Sequence, residues 1–235
     1  MISFFVPIRK NSKRIKNKNI KKILNYKYGL TEIKINQLRK FKILASRDKF
    51  LKKIKFEFII STDDMRLEKF INKFKWLNFV ARPKSLSKDN CLDELIKYVP
   101  KICNGEHILW THVTSPFYDQ MCYVNFVKYY LNNLKKFDSC FTADKISTFI
   151  YNKTKKNWIS HNRKKIKWPR TQDLDSIYKV NHAAFLSKRS VYTKINDRIG
   201  LNPLPMSLAE QSLKTFDIDE EKDFNFFKKI LIKKK

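Results

Sequence analysis

The sequence predicts an α/β fold with a mostly parallel sheet. Short apolar, β-prone runs alternate along the chain with stretches whose apolar residues recur at helical spacing. This alternation favours parallel strands, because each parallel connection needs a crossover that is usually a helix. The length of 235 residues and a hydrophobic content of 43%, including 19 phenylalanines, suit one domain with a real core.

The individual elements follow from local patterns. Residues Ile2–Ile8 form a continuous apolar run, as expected of a buried strand. A helix is predicted at 36–50, followed by strands at 57–62 and 79–81. Next come a helix at Leu92–Ile102, a strand at 107–113, a helix at 121–134 and a strand at 139–143. The chain closes with a strand at 182–186 and an amphipathic helix at 220–232.

Residues 145–178 interrupt the alternation of predicted strands and helices. They are polar and basic, contain Trp158 and Trp168, and show no clean period. We interpret them as an excursion from the sheet inside a single domain that spans 1–235. No internal repeat or long linker divides the chain.

The net charge of +29 raises the question of nucleic-acid binding. The lysines are spread over the whole chain, and abundant lysine, asparagine, isoleucine and phenylalanine are typical of AT-rich genomes. We therefore interpret the charge as a solvated lysine-rich surface that attracts anionic substrates, with no specific nucleic-acid partner. A basic nucleic-acid-binding α/β protein remains the alternative.

The sequence predicts a cytoplasmic protein without a membrane partner. No apolar run approaches the roughly 18 residues that span a bilayer, and the apolar residues 1–8 lack the features of a signal sequence. The cysteines form no C-x-x-C pair, so free thiols are expected rather than a zinc or redox site. They are Cys91, Cys103, Cys122 and Cys140.

A cationic loop follows the first strand. Residues 9–19 carry six cations, and no carboxylate occurs before Glu32. A loop that leaves a buried parallel strand lies at the carboxyl edge of the sheet, where α/β proteins bind ligands. Its amides and lysines suit phosphates, although the same segment in isolation also fits a solvated loop. The cations are Arg9, Lys10, Lys13, Arg14, Lys16 and Lys18.

A pair of acids lies near the end of the chain. In an extended segment Asp217 and Asp219 point to the same side, because side chains alternate with a period of two. Two carboxylates on one side suit Mg²⁺, which favours carboxylates, phosphates and water. The alternative is a helix cap, since Asp219 precedes a predicted helix and aspartate is favoured there.

These motifs, in this order, resemble the signature of the CMP-sialic acid synthetases, the acylneuraminate cytidylyltransferases. The loop matches their R-x-G-S-K-R-x-x-x-K-N pattern, with Asn11 at the glycine position. Asparagine tolerates left-handed backbone angles, so the loop shape can be kept. Further matches are Ser61 to Asp64, Arg82 with Pro83, Thr114 to Pro116, Pro169 with Arg170, Asn181, and Asp217 to Asp219.

The resemblance implies a Rossmann-like nucleotidyltransferase fold and the transfer of CMP from CTP to a nine-carbon 2-keto sugar acid, with release of pyrophosphate. It implies Mg²⁺ as cofactor and a homodimer in which the excursion at 145–178 is a dimerisation arm. Catalytic roles are implied for Arg9, Lys18, Asp217 and Asp219, and metal binding for the two aspartates. Nucleotide binding is implied for Lys13, Arg14, Asn19 and Arg82, and sugar binding for Ser115, Arg170 and Asn181.

Departures from the family pattern leave the sugar open. His112 and Val113 stand where the family has glutamine and proline, and Lys179 where arginine is common. CMP-Kdo synthetases usually carry an aspartate metal ligand near positions 111–116, and the absence of a carboxylate there favours the sialic type. A binding-only relative with an imperfect base pocket is a further alternative.

Overall fold

The computed structural model describes residues 1–88, 90–208 and 213–233. The main sheet has seven strands in the order β3-β2-β1-β4-β8-β5-β9, and β6 pairs with β7 in a separate hairpin. The strands are β1 Ile2–Ile8, β2 Phe56–Thr62, β3 Asn78–Ala81, β4 His107–Thr111, β5 Ser139–Ile146, β6 Tyr151–Asn152, β7 Asn157–Trp158, β8 Ile177–Lys188 and β9 Pro203–Leu208. The helices are α1 Gly29–Arg47, α2 Glu68–Ile71, α3 Leu92–Ile102, α4 Gln120–Asn133 and α5 Glu221–Lys233.

The sheet is mostly parallel, as the sequence predicts. Strand β8 runs antiparallel to both of its neighbours, β4 and β5, while the other main-sheet pairs are parallel. Strand β1 is covered on both faces, because Phe4 and Val6 belong to one core cluster and Phe5 to the other. Burial on both faces explains why β1 reads as a continuous apolar run rather than an alternating one.

The strand order creates a switch point beside β1. The chain passes from β1 to β2 and β3 on one side, then returns to place β4 on the other side of β1. Loops that leave β1 and β4 at their carboxyl ends therefore diverge in opposite directions, which opens a crevice between them.

Helix α1 begins at Gly29, seven positions before the predicted start. Gly29 has φ +52°, and a Cβ at this position would lie 2.1 Å from the carbonyl oxygen of Lys21. Glycine is therefore required for the preceding loop to pass this close to the helix. The helix itself has a buried face that includes Leu30, Leu38 and Phe41.

Several predicted strands have different bounds, and three strands, β6, β7 and β9, were not predicted. Strand β4 ends at Thr111, and β8 extends over twelve residues instead of five. Strand β9 pairs only with β5 at the sheet edge, where its two prolines, Pro203 and Pro205, are compatible with strand structure. Those prolines are the reason that its sequence did not indicate a strand.

The excursion leaves the sheet between two paired strands. Pairing of β5 with β8 continues to Ile146 and Ile177, so residues 147–176 form the part that projects. Trp158 and Trp168 meet edge to face, with ring centroids 5.5 Å apart, and the guanidinium of Arg163 lies over both rings. Trp168 is 61% exposed, so this aromatic cluster has an open side.

Candidate active site

A cleft of about 560 Å³ opens at the carboxyl ends of β1 and β4, at the switch point. One wall is cationic, and the other is formed by Trp110 with leucines from α3 and the turn before it. Among the described lining residues, the charged ones are Arg9, Lys13, Arg14, Lys18, Arg82, Lys88 and the single acid Asp219. Such a cleft suits a ligand with several negative charges and an apolar or aromatic part.

The cationic loop is folded back against α1. The Asn19 side-chain amide donates to the carbonyl oxygen of Arg9 at 2.9 Å. The Asn19 carbonyl in turn accepts from the amide and the hydroxyl of Thr31 at 3.0 and 2.8 Å. The buried Asn19 thus connects the two ends of the cationic loop by a hydrogen bond. The predicted nucleotide-binding Lys13 and Arg14 both line the cleft from this loop.

Lys18 contacts the far end of the chain. Its Nζ donates to the carbonyl oxygen of Ile218 at 2.6 Å and lies 3.8 Å from Asp219 Oδ1. Burial lowers the pKa of Lys18, while the nearby carboxylates of Asp217 and Asp219 raise it. The two carboxylates therefore offset part of the cost of burying this ammonium.

The segment from Asp217 to Asp219 lies outside the helices and strands, and Ile218 is fully buried between the two acids. The Ile218 amide donates to the Thr114 carbonyl at 2.9 Å, which ties the segment to the loop after β4. Burial lowers the pKa values of Lys18 and His182, and both carboxylates lie close enough to these two residues to raise their pKa values in part.

The carboxylate of Asp219 is engaged by cations rather than by helix amides. It pairs with Arg14 at 3.2 Å, whereas the amides of residues 219 and 220 donate to Asp223. Asp223, not Asp219, therefore serves the N-terminal end of α5.

These residues fit a magnesium ion that is shared with a substrate. Asp217 and Asp219 supply two hard oxygen ligands near Lys18, and Asp219 lines the cleft. The described residues contain no cluster of three or more acidic, histidine or cysteine side chains able to hold a metal. Mg²⁺ commonly takes one or two carboxylates together with substrate phosphates and water, so two acids beside the cationic wall of the cleft would be sufficient.

The buried side chain of Arg82 connects two parts of the cleft wall. Its guanidinium donates to the Ile8 carbonyl at 2.7 Å and to the Ser87 hydroxyl at 3.1 Å, and it lies 3.6 Å from Asp63. Its side chain is 3% exposed, and burial lowers its pKa. Arg82 thus joins the end of β1 to the turn that forms the opposite wall.

His112 is a neutral residue in a cationic setting. Its Nε2 accepts from the indole N–H of Trp110 at 3.1 Å. The pKa of His112 is lowered to about 3, mainly by burial and to a smaller extent by Arg198, His182, Lys34 and Lys18. In the neutral ring the proton must then be on Nδ1, because Nε2 acts as the acceptor. His112 therefore offers the cleft one hydrogen-bond donor.

The residues predicted to bind the sugar lie outside the cleft of this chain. Ser115 is fully buried, and its hydroxyl faces Asp217 at 3.4 Å. Asn181 is held in the sheet, accepting from Thr142 at 2.6 Å and donating to the carboxylate of Asp144 at 3.0 Å. Arg170 projects from the excursion, is largely exposed and pairs with Asp173, its neighbour three positions on.

Sequence reasoning missed three cationic or ionisable residues near the cleft. Arg198 lies over the rings of Trp110 and Phe185 at 5.2 and 3.9 Å, and His182 is close to Arg198 and Asp217. Neither residue carried a local sequence signal. Lys34 did carry one, because it falls on the apolar face of α1, four positions after Leu30 and four before Leu38.

The sheet order and this cleft together define an α/β protein of the nucleotidyltransferase type. A family model described as cytidylyltransferase matches residues 3–234, and the chain therefore belongs to the cytidylyltransferase family. A comparison with curated protein sequences gave no significant match. Among the described residues, no helix is both long and apolar enough to cross a membrane.

Solved structures share the fold at low sequence identity. A CMP:2-keto-3-deoxy-manno-octonic acid synthetase complexed with CTP matches with a TM-score of 0.63 and 14% identity, covering 100% of this chain and 99% of that one. A 4-diphosphocytidyl-2C-methyl-D-erythritol synthase from Anaerococcus prevotii matches with a TM-score of 0.61 and 12% identity, covering 98% of both chains. A cytidylyltransferase from Leptospira borgpetersenii matches at 0.58 and 12%, covering 97% and 84%.

Proposed function

We propose that this cytidylyltransferase transfers CMP from CTP to the anomeric hydroxyl of a sialic-acid-like nine-carbon 2-keto sugar acid. The observation that carries the proposal is the convergence of Arg9, Lys18 and Asp219 on one cleft from opposite ends of the chain. Cations beside a carboxylate pair suit a triphosphate with its metal ion.

The reaction is a direct displacement at phosphorus. The anomeric hydroxyl oxygen forms a bond to the α-phosphorus of CTP while its proton passes to solvent, the bond from that phosphorus to the bridging oxygen breaks, and pyrophosphate leaves. Arg9 and Lys18 stabilise the charge that develops on the leaving group, while Lys13, Arg14 and Asn19 hold the nucleotide. Burial makes Lys18 more effective, because a charge in a poorly hydrated site interacts more strongly with phosphate.

Asp217 and Asp219 are the residues that would hold Mg²⁺. When bound, the ion would neutralise charge on the phosphates. Arg14 and Lys18 pair with Asp219, so cations that suit phosphate oxygens lie directly beside the carboxylate that would hold the ion.

The sialic type is favoured by the loop after β4. Residues 111–116 contain no carboxylate, and His112 supplies a neutral donor there instead. We further propose that the excursion is a dimerisation arm, through which Arg170 reaches the sugar carboxylate in the second subunit's cleft. An exposed arginine suits this task, because its planar guanidinium group can donate two parallel hydrogen bonds to a carboxylate. Ser115 and Asn181 then act on the sugar site by shaping its walls.

The decisive experiment measures pyrophosphate release from CTP, ATP or GTP, each combined with sialic, legionaminic, pseudaminic or Kdo acid and Mg²⁺. We expect turnover with CTP and a nine-carbon acid. Preference for Kdo would overturn the assignment of the sugar, and equal use of all three nucleotides would overturn that of the donor. Binding of CTP without turnover of any acid would favour a binding-only relative.

A further inference from the structure

Lys34 is a lysine in the hydrophobic core. It lies in α1, is 1% exposed, and its Nζ is 3.1 Å from the Ser115 carbonyl, 3.3 Å from the Tyr118 carbonyl and 2.8 Å from the Tyr123 hydroxyl. Lysine is almost never fully buried unless its ammonium is paired or fully hydrogen-bonded. Position 34 would hold leucine or methionine if packing alone decided the residue.

The hydrogen-bond network specifies the protonation state of Lys34. The Thr111 hydroxyl donates its single hydrogen to the Ala183 carbonyl at 2.7 Å. In the 2.7 Å contact between Thr111 and Tyr123, the hydrogen must therefore come from Tyr123. The Tyr123 oxygen is left to accept from Lys34. Lys34 then donates three hydrogen bonds, which only the ammonium form can do.

The partners of Lys34 connect it to the cleft. Ser115 and Tyr118 belong to the loop after β4, and this loop binds the carboxylate segment in two ways. The Thr114 carbonyl accepts from the Ile218 amide, and the Ser115 hydroxyl faces Asp217. The Ile218 carbonyl then accepts from Lys18. A continuous series of contacts thus runs from Lys34 to the cations and carboxylates of the cleft.

We propose that Lys34 is a positioning residue: its buried ammonium holds the loop of residues 114–119, and through it Asp217 and Lys18, in the catalytic arrangement. Loss of its proton removes one of the three hydrogen bonds and loosens the loop. The inference rests on the proposed function, because it assigns Lys18 and the carboxylate segment to catalysis.

The surroundings of Lys34 place the loss of its proton near neutral pH. Burial lowers the pKa of Lys34 to about 7, against smaller raising effects of Cys122, Asp119 and Asp217. Asp119 is itself paired with Lys214. Burial keeps Tyr118 and Tyr123 neutral by raising their pKa values, and keeps His112 neutral by lowering its pKa.

Activity and stability should respond to pH in opposite directions. Activity should fall as pH rises through about 7, because the ammonium is the active form. The unfolded chain keeps its lysine proton up to about pH 10, so it binds more protons than the folded chain between these values. The contribution of Lys34 to stability must then increase with pH over that window.

The test compares Lys34→Met with Lys40→Met, the same change at an exposed position of α1. With CTP and the best acid, Lys34→Met should lower kcat about 10- to 100-fold, leave KM for CTP within about threefold, and abolish the alkaline decline. Lys40→Met should match the wild type. A Lys34→Met protein with wild-type kcat and an unchanged pH profile would overturn the proposal.

A second variant tests the proposal even if Lys34→Met does not fold. Tyr123→Phe keeps the ring but removes one acceptor of the ammonium, so the alkaline decline should move to lower pH by about one unit or more. An unmoved decline contradicts the proposal.

A third measurement needs no turnover and so separates Lys34 from the proposed function. The unfolding free energy of the wild type relative to Lys34→Met should increase between pH 6.5 and 9. A difference that is constant over this range refutes a buried, titrating Lys34, whichever substrate the enzyme uses.

Discussion

At the scale of single residues, Lys18 provides the sharpest test of the cleft. Lys18→Ala should lower kcat about 100- to 1000-fold and change KM for CTP by less than about threefold, because charge on the leaving pyrophosphate develops in the transition state. Lys16→Ala is the matched control, being an exposed lysine of the same loop. Steady-state kinetics measure both kcat and KM. An unchanged kcat would mean that Lys18 only holds the Ile218 carbonyl and does not act in catalysis.

His112 should make the protein sensitive to acid. Its pKa is about 3 in the folded chain and near 6.5 in the unfolded chain. Below pH 6.5 the unfolded state therefore binds a proton that the folded state does not, and stability is lost as pH falls. Relative to its value at pH 7.5, the stability of His112→Gln should exceed that of the wild type by about 1–2 kcal/mol at pH 5. Urea unfolding at both pH values measures this; an equal difference at both would refute the buried neutral histidine.

At the scale of elements, a substitution of Asp219 distinguishes a metal-binding role of the segment from Asp217 to Asp219 from a helix-capping role. Asp219→Ser should lower Mg²⁺-dependent turnover about 100-fold or more, because serine binds metal poorly. It should cost little stability, because Asp223 and not Asp219 accepts from the amides at the start of α5, and serine would itself cap a helix well. Glu221→Ser is the control, since Glu221 forms a comparable exposed ion pair with Lys21 at 2.9 Å. Full turnover by Asp219→Ser over a Mg²⁺ titration would remove the metal assignment.

Elements with one dominant pattern were predictable from the sequence. Leu92–Ile102 has the predicted bounds as a helix, and β1 is the predicted buried strand. The start of α1 was missed because Lys34 interrupts the apolar face, and its hydrogen-bond partners are about 80 to 90 residues further along the chain. The cationic loop and Asp219 were found from local motifs. Arg198 and His182 come to lie near Trp110 and Asp217 only through tertiary packing, which no local pattern encodes.

At the scale of the whole molecule, we expect a homodimer that depends on residues 147–176. The exposed face of Trp168, with Ile166 beside it in sequence, is a large apolar surface for a monomer to leave in water. Trp168→Ser should shift the protein toward monomer and lower turnover, because Arg170 would no longer reach a second cleft. Light scattering at micromolar concentration measures the mass. A monomeric wild type with full activity would contradict the role of the arm.

The contact between Lys18 and Ile218 spans 200 positions of the chain. Joining such distant segments carries a large entropic cost, and it becomes favourable only after the intervening sheet has formed. We therefore expect the cleft to assemble late in folding. A refolding chain should regain its helix and strand signals before it can bind nucleotide, and ligand present during refolding should stabilise the finished state without accelerating the earlier steps.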